Sequence, residues 1–262
     1  MLYDDVDKFK AKYLAFKEKY EANETFERTD LCDIMDRNMS DKSYPAGLRE
    51  NEKEHIQKRI KKPGHIVSFH NYTLFYDTFF SHVRDEEVNI FEIGLGSNTP
   101  GVEGWMGANA RPGASVYGWS EYFTNGNIYG ADIDQNAIFQ DEKKRIKTYC
   151  VDQKSKKDVQ KAFNSIGKKM DIIVDDGRHW PDYNFSFFSH SFDYLKDGGL
   201  FIIEDLFLSG HSRGDFKKHH YQNLEKIKTQ ARFADILRLR SKYGKMDGEG
   251  KCLGNNLMVI LK

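Results

Sequence analysis

Two acidic groups stand where apolar runs of the chain end. Ile172-Ile173-Val174 leads into Asp175-Asp176-Gly177-Arg178-His179, and Leu200-Phe201-Ile202-Ile203 leads into Glu204-Asp205. Short apolar runs of this kind read as buried strands. Neighbouring parallel strands lie about 4.8 Å apart, so adjacent tips would crowd three or four carboxylates into one small volume. In a partly dry cleft those charges repel unless a cation joins them. A hard divalent ion such as Mg2+ fits the need, because it takes oxygen ligands and keeps positions for water or substrate. With no cysteine close by and one histidine at hand, zinc fits less well. The plain alternative is that Asp175, Glu204 and Asp205 are caps and turn residues. Side chains that point apart, or a lysine ammonium filling the gap between the acids, would overturn the metal reading. His179, three residues past Asp176, is of a type that can accept a proton near neutral pH.

A second group of residues suits a nucleoside. The strand Val88–Ile93 carries Glu92 and runs into Gly94-Leu95-Gly96. Glycine tolerates positive φ and lets a ligand approach the main chain. The dinucleotide fingerprint asks for a third glycine, but Thr99 stands there, and the next strand-end acid, Asp132, comes much later than a nicotinamide site requires. Asp132 after the second strand suits the two ribose hydroxyls, and Asp152 after the third suits the adenine amino group. Singly, each of these is as well read as a turn or cap residue.

The elements that must position these residues follow from periodicity. Past residue 87, apolar runs at Val88–Ile93, Asn127–Asp132, Ile146–Val151, Met170–Val174, Gly199–Ile203 and Leu257–Leu261 read as strands. Helical patterns lie between most of them, at Ala114–Phe123, Lys156–Ile166, Phe185–Tyr194 and Tyr221–Phe233. Alternation of this kind predicts an α/β fold with a doubly wound parallel sheet, whose ligands sit at the carboxyl ends of the strands. Upstream, Phe9, Tyr13, Phe16 and Tyr20 recur at helical spacing. A short helix is expected near Leu31–Met35, another over 49–62 before Pro63-Gly64, and an aromatic one over 70–83. The expected organisation is an N-terminal helical cap and lid, residues 1–84, on a sheet domain, residues 85–262.

Composition narrows the function classes. Forty basic residues balance forty acidic ones, which argues against a non-specific nucleic-acid binder. No apolar run is long enough to span a bilayer. The acidic start, Met1-Leu2-Tyr3-Asp4-Asp5, has no signal-peptide pattern, and Cys32, Cys150 and Cys252 form no CxxC pair. These features predict a cytoplasmic protein with no membrane and no nucleic-acid partner. The aromatic face of the first helix offers a surface for a homo-oligomer. The basic stretches at 58–62 and 217–228 suit a phosphorylated or nucleotide-linked acceptor, and His211, His219 and His220 read as surface or packing residues.

From about His65 onward the chain resembles the metal-dependent sugar O-methyltransferases that act on deoxysugars of macrolides and on related capsule sugars. The resemblance rests on Phe91-Glu92-Ile93-Gly94-Leu95-Gly96, Gly113-Ala114-Ser115, Trp119, Ile128-Tyr129-Gly130-Ala131-Asp132-Ile133, Asp152-Gln153, Ile173–His179 and Ile202–Leu206, with His70-Asn71-Tyr72-Thr73 at the entry to the donor site. The Asp-Asp-Gly-x-His and Ile-Glu-Asp segments are its specific part. It implies a Rossmann-like methyltransferase sheet using S-adenosyl-L-methionine and Mg2+. It implies Asp176, Glu204 and Asp205 as metal ligands and His179, with Asp176, as the catalytic residues. It implies a donor pocket of Glu92, Gly94, Gly96, Asp132, Asp152 and Gln153, with Tyr72, Ser115 and Asp175 beside it. The acceptor would be a hydroxyl of a sugar or nucleotide sugar, in capsule or natural-product biosynthesis. Arg178 departs from the family, which often has Ser there. Metal-dependent modification of another small molecule and a non-catalytic nucleotide-binding module are the alternatives.

Overall fold

The computed structural model describes residues 2–21, 26–43, 70–102, 111–208, 215–239 and 256–262. The helix expected over 49–62, the basic stretch 58–62, His211 and Cys252 lie outside them. Among the described residues eight strands form one sheet in the order β3-β4-β2-β1-β5-β6-β8-β7. They are β1 (Asn89–Ile93), β2 (Asn127–Asp132), β3 (Gln140–Asp141), β4 (Ile146–Cys150), β5 (Met170–Asp175), β6 (Leu195–Ile203), β7 (Phe233–Arg238) and β8 (Asn256–Leu261). The central strands β4, β2, β1, β5 and β6 are parallel, whereas β3 and β8 run antiparallel to their neighbours. Strand order reverses at β1, from which the chain builds outward to β2 and β4 and then returns to β5. The β1/β5 crevice is therefore the topological switch point, the place such sheets reserve for ligands.

Both faces of the sheet are covered, which is why β1, β5 and β8 are buried at every position. One face packs against α1 (Val6–Glu21), α2 (Asp30–Arg37), α3 (Tyr72–Phe80) and α4 (Ala114–Tyr122). The other packs against α5 (Lys156–Ile166), α6 (Pro181–Ser191) and α7 (Phe216–Lys228). The Phe9, Tyr13, Phe16 and Tyr20 stripe predicted for α1 is buried, and its first two rings lie edge-on to Phe233 of β7. That face is spent on the chain's own sheet and is closed to a second copy. The N-terminal helices and one face of the sheet contribute to one buried cluster.

The predicted strands are all present. Local pattern misplaces two helices and misses one strand. The helix expected at Tyr221–Phe233 begins at Phe216 and ends at Lys228, and Phe233 opens the edge strand β7. The helix expected from Phe185 starts at Pro181, which presets the first helical turn. The two-residue β3 has too little sequence to carry a pattern.

The strand tips are tied together beyond the last paired residues. Gly94 N–H donates to Ala131 O (2.8 Å), Asp176 N–H to Ile93 O (2.9 Å) and Glu204 N–H to Asp175 O (2.9 Å). This lacing holds the tips of β2, β1, β5 and β6 in one line. It requires glycine at position 94, where φ is +98° and a Cβ would stand 1.9 Å from the Asp176 carbonyl oxygen. Gly94→Ala should therefore destabilise the fold by at least about 2 kcal/mol in urea denaturation. A variant as stable as the parent would show that the tips can spread without cost.

Candidate active site

The line of tips ends in acids, and a lysine lies among them. Lys42 is 2% exposed, and its ammonium donates to Asp176 Oδ2 (2.6 Å) and to Glu204 and lies 3.8 Å from Glu92 Oε1. The segment bearing it is fastened by backbone bonds to both ends of α3's entry: His70 N–H donates to Asp41 O (2.9 Å) and Thr73 N–H to Lys42 O (3.1 Å). Burial opposes the lysine's charge, but Asp176, Glu204 and Glu92 outweigh it and hold the ammonium well above the usual lysine range. One ammonium does not balance three acids, and burial pushes Glu92 and Glu204 above the ordinary carboxylate range.

The cation expected between the tips is thus supplied, in part, by the chain. Glu204 is 1% exposed, with one oxygen on Lys42 and the other accepting from the Tyr76 hydroxyl. The structure does not bring Glu204 to a common point with both Asp176 and Asp205. The trio that does converge is Asp176, His179 and Asp205, each offering one ligand atom, all within 4.8 Å of one another. These side chains are between a sixth and a quarter exposed, so solvent reaches them where Glu204 is shut away. Asp205 receives the Tyr72 hydroxyl, has His70 Nδ1 at 3.3 Å from one oxygen and His179 Nε2 at 3.7 Å from the other. Burial works against its charge, yet His70 and His179 hold its pKa below the ordinary value.

Both His179 (φ +58°) and Asp205 (φ +54°) adopt the left-handed backbone conformation. For residues other than glycine this costs of order 1–3 kcal/mol and persists where the surroundings over-determine it, as at functional sites. Here it turns two side chains that leave different strands toward one point.

The residues assigned to the donor sort into two groups. Gly94 and Gly96 have positive φ, as a close approach to the main chain requires. Asp132 lies at the β2 tip, accepting from Gly96 N–H (3.1 Å) and Asp134 N–H (2.9 Å), and Asp152 accepts from Lys154 N–H in a turn. These four stay at the carboxyl ends of β1, β2 and β4. The others are occupied within the protein. Glu92 is fully buried and accepts from Ser115 and from Trp119 Nε1 (2.6 Å). Gln153 donates to Asp175 Oδ1 (2.6 Å) and accepts from Arg178 N–H (3.0 Å). Asp175 is fully buried and also accepts from Asn184 Nδ2 (3.0 Å) and Gly177 N–H (3.2 Å), and burial raises its pKa to about 6. Tyr72 spends its hydroxyl on Asp205. Sequence alone did not reveal Lys42 or Tyr76 as members of the site, and it placed His70 only at the entry to the donor pocket, not beside Asp205. Lys42 lies in a polar, irregular stretch with no periodic signal, and Tyr76 reads as one more packing aromatic. Arg178 is held between the rings of Trp180 (4.3 Å) and Tyr183 (4.8 Å).

No protein-family model matches the chain. Among curated proteins it is 33% identical over 137 residues to a rhamnosyl tetracenomycin-C 2'-O-methyltransferase of Streptomyces olivaceus, covering 52% of this chain and 33% of that protein. It is 34% identical over 139 residues to demethylmacrocin O-methyltransferase of Streptomyces fradiae, covering 53% and 32%. It is 31% identical over 162 residues to mycinamicin VI 2''-O-methyltransferase of Micromonospora griseorubida, covering 62% and 37%. Each match spans about a third of the curated relative. Among solved structures, a methyltransferase of the mycinamycin biosynthetic pathway, in complex with Mg and SAH, aligns at a TM-score of 0.56 and 22% identity over 100% of this chain and 62% of that one. A second crystal form gives 0.55 and 21% over 90% and 55%. The fold is the Rossmann-like methyltransferase fold, and the chain's homologues are sugar O-methyltransferases.

Two outcomes follow from the electrostatics. Lys42→Met leaves Glu92, Asp176 and Glu204 without their counter-charge and should cost about 3–5 kcal/mol of stability; chemical denaturation at neutral pH reads this, and an unchanged midpoint would remove Lys42 from the network. Asp175 has its folded pKa above its unfolded one, so its contribution is most favourable below about pH 4 and is lost as pH rises to about 6. The amount is about 3 kcal/mol for a shift of about two units. Asp175→Asn should flatten that part of the stability–pH curve, since Asn184 Oδ1, without a partner among the described residues, can turn to accept the new amide. A curve that keeps the same slope would assign it to another group.

Proposed function

We propose that the chain transfers a methyl group from S-adenosyl-L-methionine to a hydroxyl of a sugar. The convergence of Asp176, His179 and Asp205 beside the Gly94–Gly96 loop carries this reading, together with the homologues named above. The donor's methyl sits on a sulfonium and is already activated, so the protein must place an oxygen in line with it and take a proton. His179, with Nε2 toward Asp205 and the cleft, is the proton acceptor. The Gly94–Gly96 main chain, Asp132 and Asp152 receive the nucleoside end of the donor.

Two carboxylates and an imidazole at one point form an oxygen-rich set that fits Mg2+. Asp176 and Asp205 would hold the ion, with Glu204 behind them as a further ligand if Lys42 moves aside. The ion would supply Lewis acidity that orients the acceptor hydroxyl and lowers its pKa. A second reading is favoured by Lys42 alone: its ammonium serves as the resident cation at the tips, and methyl transfer proceeds without a metal.

The acceptor we favour is a deoxysugar on a natural-product aglycone, as the relatives' names indicate; a nucleotide sugar and a capsule sugar are the alternatives. We place the protein in the cytoplasm without a nucleic-acid partner. The unpaired Cys32 and Cys150 support a reducing setting, and no described helix is long and apolar enough to cross a membrane.

The test uses labelled S-adenosylmethionine with a rhamnosylated polyketide and, separately, a rhamnose nucleotide. Transfer to either supports the proposal, and the better acceptor decides the substrate class. No transfer to either, with no calorimetric heat on adding S-adenosylhomocysteine, would sink it. His179→Ala should lower kcat by about 10²–10⁴-fold with donor affinity unchanged; an unchanged kcat would refute the assignment of His179. Removing metal with EDTA should abolish turnover and Mg2+ restore it. Full turnover in EDTA, lost in Lys42→Met, would favour the lysine reading instead.

A further inference from the structure

His220 lies on α7, outside every motif used above, yet it is 1% exposed and its Nε2 is buried without a hydrogen-bond partner among the described residues. The same holds for Nδ1 of His179. Buried ring nitrogens of this kind are seldom left unsatisfied. Both residues adjoin one packing contact, that between α7 and the residues following His179. Phe216, His220 and Asn223 share one face of α7, at spacings of four and three. Phe216 packs edge-on to Trp180 at 5.7 Å, and Asn223 Nδ2 donates to Pro181 O at 2.7 Å. The first and last residues of that face thus grip the chain immediately after His179, and His220 stands between them, edge-on to Phe216 at 6.3 Å. Burial, with smaller contributions from His179 and His219, lowers the pKa of His220 to about 4, so its imidazole is neutral near pH 7.

The chemistry of a general base completes the case. His179 turns Nε2 to the cleft, 3.7 Å from Asp205 Oδ2. To take a proton there, Nε2 must carry the lone pair, and the ring's own proton must reside on Nδ1. That N–H is buried and needs an acceptor. A neutral imidazole protonated on Nδ1 offers a lone pair on Nε2. We propose that His220 is a positioning residue for His179: its Nε2 accepts the His179 Nδ1–H, directly or through one water, and so fixes the base-competent tautomer and the ring's orientation. The role is the one a carboxylate or carbonyl fills behind other catalytic or metal-bound histidines. The inference rests on the reading of His179 as the proton acceptor.

The test is nuclear magnetic resonance on the full chain with 15N-labelled histidine, at one fixed near-neutral pH, without acceptor or donor. Two-bond proton–nitrogen correlations report which nitrogen carries the proton, and His179→Ala identifies the signals. In the parent, His179 should show one tautomer, protonated on Nδ1. His220→Phe keeps the ring volume and removes the acceptor, so the two nitrogen shifts of His179 should move toward one another as tautomers mix. His220→Gln places an amide oxygen near the former Nε2 and should restore the parent pattern. His219→Phe, at an exposed neighbouring position, should leave it unchanged. His179 protonated on Nε2 in the parent, or an unchanged pattern in folded His220→Phe, would overturn the proposal. If His220→Phe does not fold, the parent tautomer and the Gln variant decide. Because no turnover is measured, a failure to find methyl transfer would count against the function and not against this pairing.

Discussion

Acids at the ends of β1, β5 and β6 share a nearly dry volume only because a cation lies among them. Lys42 is that cation, in contact with Asp176 and Glu204 and close to Glu92. The remaining features of the site follow from this pairing. It draws the segment around Lys42 onto the sheet tips, where it meets the start of α3. It also divides the acids into two compartments. Glu92 and Glu204, with Tyr76, lie inward and dry. Asp205, with His70 and His179, lies outward and partly wet. Asp176 belongs to both, and among these described acids Asp176 and Asp205 are the ones partly exposed to solvent.

The outer compartment is held by backbone geometry as much as by charge. His179 and Asp205 leave different strands and would diverge in ordinary extended conformations. Their positive φ values turn both side chains to a common point. The surrounding structure offsets this strain through the Tyr72–Asp205 bonds, the Gln153–Arg178 contact and the docking of α7 beyond Trp180. Gly94 serves the same end, since its missing side chain is what lets the β1 loop lie against the Asp176 carbonyl.

Several polar residues near the donor end act by supporting others. Ser115 and Trp119 both donate to Glu92, and Gln153 and Asn184 both donate to Asp175. Buried strand tips carry polar groups that must find partners, and these two networks provide them. Gly94, Gly96, Asp132 and Asp152 stay at the carboxyl ends of the strands, where the nucleoside of the proposed donor would lie.

Periodicity in the sequence was enough to locate the strands, the α1 stripe, α5 and the acid-bearing tips, because burial on one face or both imposes a local pattern on residue type. Glycine at 94 and 96 and the acids at 175–176 and 204–205 were legible for the same reason: each answers a demand made within a few residues. The role of Lys42 was not legible, since its partners lie 50 to 162 positions away and nothing local distinguishes it from a solvated lysine. His220 was equally hidden, because a histidine beside another on a basic helix reads as surface until α7 is seen against α6. The strand end at Phe233 also depended on a partner, β8, that comes later in the chain. The sequence determined which groups could do chemistry. Tertiary structure decided which of them face the cleft, because electrostatic pairing and burial are properties of through-space neighbours.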